Sequence, residues 1–200
     1  MMTMKMRQMA GKDLKFSSLA GQLLIAMPGI DDDRFDKAVI YISTHTPEAG
    51  AMGIVINYPA QKMSLYEILE QLSIPYDKMD NPPAILLGGP DQMTRGFILH
   101  SNDYHSDLSV SIDKDISLTA SQDILKDLIN GKGPRYTLIA LGCATWTAGQ
   151  LEEEIMSNIW LTAPASIDLL FKTPYAHMWE EALSSIGVNA PMLANDFGKA

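Results

Sequence analysis

The stretch that decides the fold is Tyr136–Leu161, YTLIALGCATWTAGQLEEEIMSNIWL. Its first six residues, Tyr136 to Leu141, form the most apolar strand-like run of the chain. Gly142 is expected to open a turn that ends at Thr147, and Thr147-Ala-Gly-Gln150 has the spacing of a helix capping box. The helix it starts would carry Leu151, Ile155 and Ile159 on one stripe, with Glu152, Glu153 and Glu154 near its positive end. A strand, a glycine turn and a helix N-terminus in direct succession are how many αβ proteins present a site. A phosphate loop is excluded there, because the turn has no lysine and three carboxylates follow it. The three glutamates read as helix-dipole complementation on a solvated face. At most two could converge on one ligand, since neighbouring helical residues point about 100° apart.

Outward from this stretch, the chain alternates strand and helix patterns. Leu23–Met27 is a short buried strand stopped by Pro28-Gly29, followed by an acidic turn at Asp31–Asp33 that lacks the alternation of a calcium loop. Ala38–Thr44 and Ala51–Asn57 predict a hairpin around a loop from His45 to Gly50. Ser64-Leu-Tyr-Glu67 is a capping box, and Leu65, Ile68, Leu69 and Leu72 follow at helical spacing. The proline-bearing segment 74–83 is a loop. Ala84–Leu87 returns to strand before the tight turn Gly88-Gly89-Pro90, and Arg95–His100 makes another strand.

Leu108, Val110 and Ile112 alternate with serines, the signature of an edge strand with one wet face. Thr119-Ala-Ser-Gln122 suggests a capped helix through Leu128, and Ser166–Phe171 a short one. Thr173-Pro174 reads as the start of a final helix carrying Trp179, Ala182, Leu183 and Ile186.

Composition narrows the function classes. With 24 acidic and 15 basic side chains, the net charge of −9 repels phosphate backbones, so direct nucleic-acid binding is disfavoured. No apolar stretch approaches the roughly 18 residues of a membrane span. Cys143 is the only cysteine, which rules out an internal disulfide and a cysteine zinc cage and suits a reducing cytoplasm. The Met-rich residues 1–18 lack the apolar core of a signal peptide and read as a flexible leader before one domain, 19–200.

Several side chains invite a chemical role. Cys143 lies past a strand and near a helix start, where a thiol is activated, yet its neighbours match no cysteine-hydrolase pattern and it reads as a packed small hydrophobe. His45 and His100 both end strand-like runs, without metal-ligand spacing, and read as hydrogen-bonded structural histidines. Trp146 either caps the core or stacks on a ligand, and Arg95 reads as an ion-pair partner of the acidic surface.

Four blocks, LLIAMPGIDDDRF (23–35), HTPEAGAMGIVIN (45–57), LLGGPDQMTRGFILH (86–100) and LGCATWTAGQLEEEIMSNIWLTAPA (141–165), together with FKTPYAHMW (171–179) and the closing GKA, resemble the AlgH/YqgE family of bacterial proteins. The resemblance implies a single α+β domain in which helices surround a mixed, partly barrel-like sheet, and a cytosolic setting. It implies no established reaction. The family's label of transcriptional regulator arose from alginate regulation rather than from a DNA-binding element, and no basic recognition helix is visible in this sequence. The family's usual tyrosine after the first glycine of the L-G-x-A-x-W block is Cys143 here, and its terminal G-H-A is Gly198-Lys199-Ala200.

These readings converge on a binding or regulatory module that acts on an unidentified ligand or protein partner. Self-association stays open, and no cofactor or metal is assigned. Its candidate cleft or partner contacts are His45, Asn57, Gly88, Gly89, Pro90, Arg95, His100, Trp146, Gln150 and Glu154. The competing reading is a hydrolase-like enzyme that uses His45, His100 and one of Glu152–Glu154 as catalytic groups.

Overall fold

A computed structural model describes residues 18–190 and residue 193, so all of the leader 1–18 but its last residue, and the closing residues 198–200, lie outside the described residues. Among the described residues nine strands and five α-helices follow in chain order. They are β1 (Gln22–Ala26), β2 (Val39–Thr46), β3 (Gly50–Val55), α1 (Leu65–Gln71), β4 (Ile85–Leu87), β5 (Asp91–Ser101), β6 (Ser109–Ser111) and β7 (Ile116–Thr119). The chain continues with α2 (Asp123–Ile129), β8 (Thr137–Trp146), α3 (Gln150–Met156), β9 (Trp160–Pro164), α4 (Ile167–Phe171) and α5 (Met178–Ser185). The strands form one curled, mostly antiparallel half-barrel in the order β6-β7-β5-β8-β3-β2-β1-β9, with β4 parallel to β8. The molecule is a mixed α+β domain, as the family resemblance implies.

Alternation along the strands sorts the core onto the two faces of the sheet. Leu23, Ile25, Val39 and Tyr41 face α4 and α5, where Leu170, Met178, Trp179 and Leu183 close a cluster. Leu24, Ala26, Ile40 and Ile42 face the other way, against Leu151 of α3 with Trp146 and Trp160. A third cluster joins Leu65 and Leu69 of α1 and Ile124 and Leu125 of α2 to Ile85, Ile98 and Ile139. The Trp179 indole nitrogen donates to the Ala26 carbonyl at 2.8 Å, fastening α5 to β1.

The Ser64–Glu67 capping box is present in full, with the Ser64 hydroxyl accepting from the Glu67 amide and the Glu67 carboxylate accepting from the Ser64 amide. Other boundaries differ from expectation. β2 runs through His45 to Thr46 and β3 starts at Gly50, so only residues 47–49 turn. Thr119 ends β7 instead of capping α2, whose start has no side-chain cap from Gln122. Thr173 donates to the Asp168 carbonyl, and a 3-10 turn at Tyr175–His177 separates it from α5. On edge strand β6 Val110 is exposed and the Ser109 hydroxyl turns inward to Thr119, the reverse of the expected wet serine face.

The most consequential difference lies in β8. It does not stop at Leu141 but continues to Trp146, with Gly142 at φ +78° inside it. Ile139 is paired to Ile85 of β4 on one edge and to Ile98 of β5 on the other. Residues 88–90 therefore carry the chain from one edge of β8 across its backbone to the other. A Cβ on Gly88 would overlap the Gly142 carbonyl, and one on Gly89 would overlap the Cys143 backbone. That close backbone approach, together with φ +148° at Gly89, is why two glycines stand there.

Candidate functional site

The extension of β8 delivers Trp146 to the foot of α3. The connection is short: Gly149, at φ +78°, precedes the helix, and the Thr147 amide and hydroxyl both donate to Gln150 Oε1 at 3.0 and 3.2 Å. This replaces the expected capping box with its side-chain complement, the glutamine reaching back to the turn. One helical turn on, Glu154 receives the Trp146 indole N–H at 2.8 Å and the Trp160 indole N–H at 2.7 Å on Oε2. Gln150 Nε2 donates to Oε1 of the same carboxylate at 2.9 Å. Three neutral donors thus hold one carboxylate in a fixed orientation.

Two further segments complete a cleft of about 550 Å3 around this carboxylate. The turn after β1 brings Asp31, Asp32, Arg34 and Phe35. The Arg34 guanidinium is bound by Asp32 through Nε–Oδ1 at 2.9 Å and Nη2–Oδ2 at 2.6 Å. Hydrogen bonding to Arg34 holds the Asp32 carboxyl below its ordinary range and raises the guanidinium in turn. Phe35 meets Trp160 edge to face at 5.6 Å, and Trp160 meets Trp146 likewise at 6.1 Å. The glycine crossover brings Pro90 and Asp91, and Asp91 Oδ2 accepts from the Thr145 amide at 3.1 Å and hydroxyl at 2.6 Å.

Of the sequence candidates, Pro90, Trp146, Gln150 and Glu154 line this cleft, and Gly88 and Gly89 position the strand that leads into it. The remaining four lie elsewhere. His45 has a fully buried side chain whose Nδ1 accepts from the Leu19 amide at 3.0 Å and whose Nε2 meets Glu152 Oε1 at 2.9 Å. His100 is also buried; its Nδ1 donates to the Ser101 carbonyl and its Nε2 accepts from the Thr119 hydroxyl, both at 2.9 Å. Burial lowers its affinity for a second proton. Asn57 braces the β2 start, accepting from the Val39 amide and donating to the Lys37 carbonyl.

Arg95 was expected in an ion pair. Instead it bonds to the Gln92 side chain and lies over the Phe97 ring at 5.3 Å, with no ion pair among the described residues. The histidines thus occupy separate hydrogen-bond networks: His45 meets Glu152, while His100 bonds to Ser101 and Thr119. Cys143 is buried in the core beneath the crossover, and burial raises its thiol, the direction that suppresses nucleophilicity.

The glutamate run is not a uniformly solvated face. Glu152 is buried on His45, Glu154 is held by the two indoles, and only Glu153 is exposed. Residues 152 and 154 point roughly 200° apart around the helix, so they serve opposite sides of it. Trp160, Asp91, Asp32 and Phe35 are cleft residues that the sequence reading missed. Only Trp160, an aromatic six positions beyond Glu154 and just past the helix, carried a local signal.

The AlgH-like family model matches residues 23–191. A UPF0301 protein of Methylocella silvestris is 45% identical over 198 residues, covering 95% of this chain and 96% of its own. One from Agrobacterium fabrum is 44% identical over 194 residues, covering 92% and 94%. The solution structure of the AlgH protein from Pseudomonas aeruginosa superposes with a TM-score of 0.72 at 38% identity, covering 94% of this chain and 100% of that one. A crystal structure of a Corynebacterium diphtheriae protein shares the fold at a TM-score of 0.69 and 18% identity, covering 94% and 96%. The relatives are bacterial, and none of their names carries a reaction. With the curled sheet, the glycine crossover and the tryptophan-bound glutamate in place, the chain belongs to the AlgH-like family.

Proposed function

We propose that the protein is a small-molecule binding module of the bacterial cytoplasm and that the Trp146–Glu154–Trp160 cleft is its ligand site. The observation that carries this reading is the Glu154 carboxylate, oriented by three donors on the wall of a cleft of about 550 Å3. That volume falls within the roughly 300–1,000 Å3 of ordinary ligand sites, and a few fixed polar groups on an aromatic wall are their usual lining. Three sequence-distant segments build the cleft, so an occupied site couples the β1 turn, the crossover and the stretch from the end of β8 through α3 to the start of β9. Such coupling is what a regulatory module requires, since a ligand that favours one arrangement of these segments shifts the population towards it. The cytoplasmic setting is supported by the lone buried cysteine and by the bacterial relatives. Among the described residues no helix is long and apolar enough to cross a membrane.

The experiment is a thermal-shift screen of the full chain against cellular metabolites, run beside Ser157→Trp. Ser157 is exposed on the cleft rim with no side-chain hydrogen bond among the described residues, so an indole there narrows the cleft without removing a contact. A compound at about 100 times its Kd adds about 2.7 kcal/mol of stability to the parent chain and nothing to the variant. Hits that stabilise both chains equally, or no hit, overturn the assignment.

A further inference from the structure

The lining of the cleft is unbalanced in charge, with Asp31, Asp32, Asp91 and Glu154 against the single cation Arg34. Both indole N–H groups and one Gln150 amide hydrogen serve Glu154, and the Thr145 backbone amide and hydroxyl serve Asp91, which leaves the exposed Ser157 and Asn158 side chains at the rim as neutral donors without a bond among the described residues. The one cationic lining residue, Arg34, is bound by Asp32. The carboxylates of Asp31, Asp91 and Glu154 line the space beside the Phe35–Trp160–Trp146 aromatic cluster. These carboxylates do not focus on a point, since among the described residues no three acidic, His or Cys side chains are placed to hold one metal ion. Their spread matches an extended ligand with more than one donor. The chain also supplies an internal example of what this wall accepts. The Arg34 guanidinium lies 5.9 Å from the Phe35 ring centroid while Asp32 binds it in the plane.

We propose that the ligand of this cleft is a small organic cation bearing guanidinium or ammonium groups, of the alkylguanidine or diamine class. This rests on the assignment of the cleft as the ligand site. A phosphorylated or carboxylate metabolite would meet four carboxylates and one guanidinium already bound by Asp32, with only exposed rim donors such as Ser157 and Asn158 to repay its desolvation. A cation instead meets acceptors that are already oriented, so it gains Coulomb energy without reorganising the site.

The test is calorimetric titration of the full chain at low ionic strength with agmatine and with 1,4-diaminobutane, and citrate as the anionic control. Saturable one-to-one binding of at least one cation with a Kd below about 1 mM is expected, with no citrate binding. The double variant Asp31→Asn, Glu154→Gln should weaken it at least about tenfold. Asp31 has no hydrogen bond among the described residues, and a glutamine oxygen still accepts from the indoles, so a retained unfolding transition verifies the fold. Binding of equal strength in the double variant is diffuse attraction to an acidic surface and overturns the proposal, as does no binding. If neutral or anionic metabolites stabilise the parent chain but not Ser157→Trp while the cations fail, the cleft stands and the cation class falls. If no compound distinguishes the parent from Ser157→Trp, both fall.

Discussion

His45 and Glu152 are 107 positions apart in sequence and joined by a 2.9 Å hydrogen bond in the buried layer between β2 and α3. The Leu19 amide donates to His45 Nδ1, so that nitrogen holds a lone pair and the hydrogen sits on Nε2, pointing at the Glu152 carboxylate. One imidazole therefore ties together the chain entry at Leu19, the end of β2 and the first turn of α3. Glu152→Ala would leave a buried imidazole N–H without an acceptor, at a cost of about 1–3 kcal/mol. Glu152→Gln keeps an acceptor oxygen and should lose less than about 1 kcal/mol. Urea unfolding of the two variants decides it, and equal midpoints for Glu152→Ala and the parent would show that the bond contributes nothing.

His100 sets a pH dependence of known sign. Its folded form is neutral and bonded on both nitrogens, and burial lowers its pKa from the ordinary 6.5. Between that lowered value and 6.5 the unfolded chain binds a proton that the folded chain does not, so stability falls as pH falls through this window. Above 6.5 the contribution is complete, and below the folded value the loss stops growing. Asp103 opposes the shift and His105 adds to it, without reversing the direction. Unfolding midpoints measured from about pH 7.5 down to 5.0 stay above the range where carboxylates titrate. The parent should lose stability over that range, and His100→Gln should lose less of it. Parallel profiles would remove His100 as the source.

The crossover at Gly88–Gly89 gives a paired prediction. Gly89→Ala forces a Cβ into the Cys143 backbone at φ +148°, where no side chain can rotate away. A loss of about 3 kcal/mol or more is expected, with β5 and β8 forced apart. Gly29 has φ +81° but nothing within 4 Å of an added Cβ, so Gly29→Ala carries only the left-handed backbone strain of about 1–2 kcal/mol. Thermal denaturation of both separates steric overlap from backbone strain, and similar losses would mean that the backbones yield.

The same crossover explains what the sequence concealed. Strand runs, the Ser64 capping box and the α5 stripe rest on contacts within a few residues, and these were legible. Gly142 was read as the start of a turn because a lone glycine after an apolar run looks the same whether the chain bends or is crossed by another segment. The deciding partner, Gly89, lies 53 positions earlier. The fates of Glu152 and Glu154 were hidden for a similar reason. Helical geometry limits which glutamates can converge, but His45 and Trp160 are set beside them by sheet topology. Within the cleft, Trp146, Gln150 and Glu154 were legible because they share one local block, whereas Asp91 arrives through the crossover and had no local mark.

Glu154 tests whether the cleft wall is one unit. Trp146 and Trp160 are 6% and 3% exposed, so neither indole N–H has ready access to water if its acceptor is removed. Glu154→Ala should leave two buried donors unpaired and cost about 2–6 kcal/mol, counting about 1–3 for each. Glu154→Gln retains a two-lone-pair oxygen for both indoles, but its amide hydrogens now face the Gln150 amide unless Gln150 flips, which would release Thr147. The glutamine variant should therefore keep most of the stability and lose order at the α3 start. Near-ultraviolet circular dichroism reports the indole pair, and amide exchange at Thr147 and Gln150 reports the turn. An alanine variant with unchanged stability and indole spectrum would mean that the carboxylate is a bystander, and the wall would then need Trp146 and Trp160 to be held by packing against Phe35 and Leu151 alone.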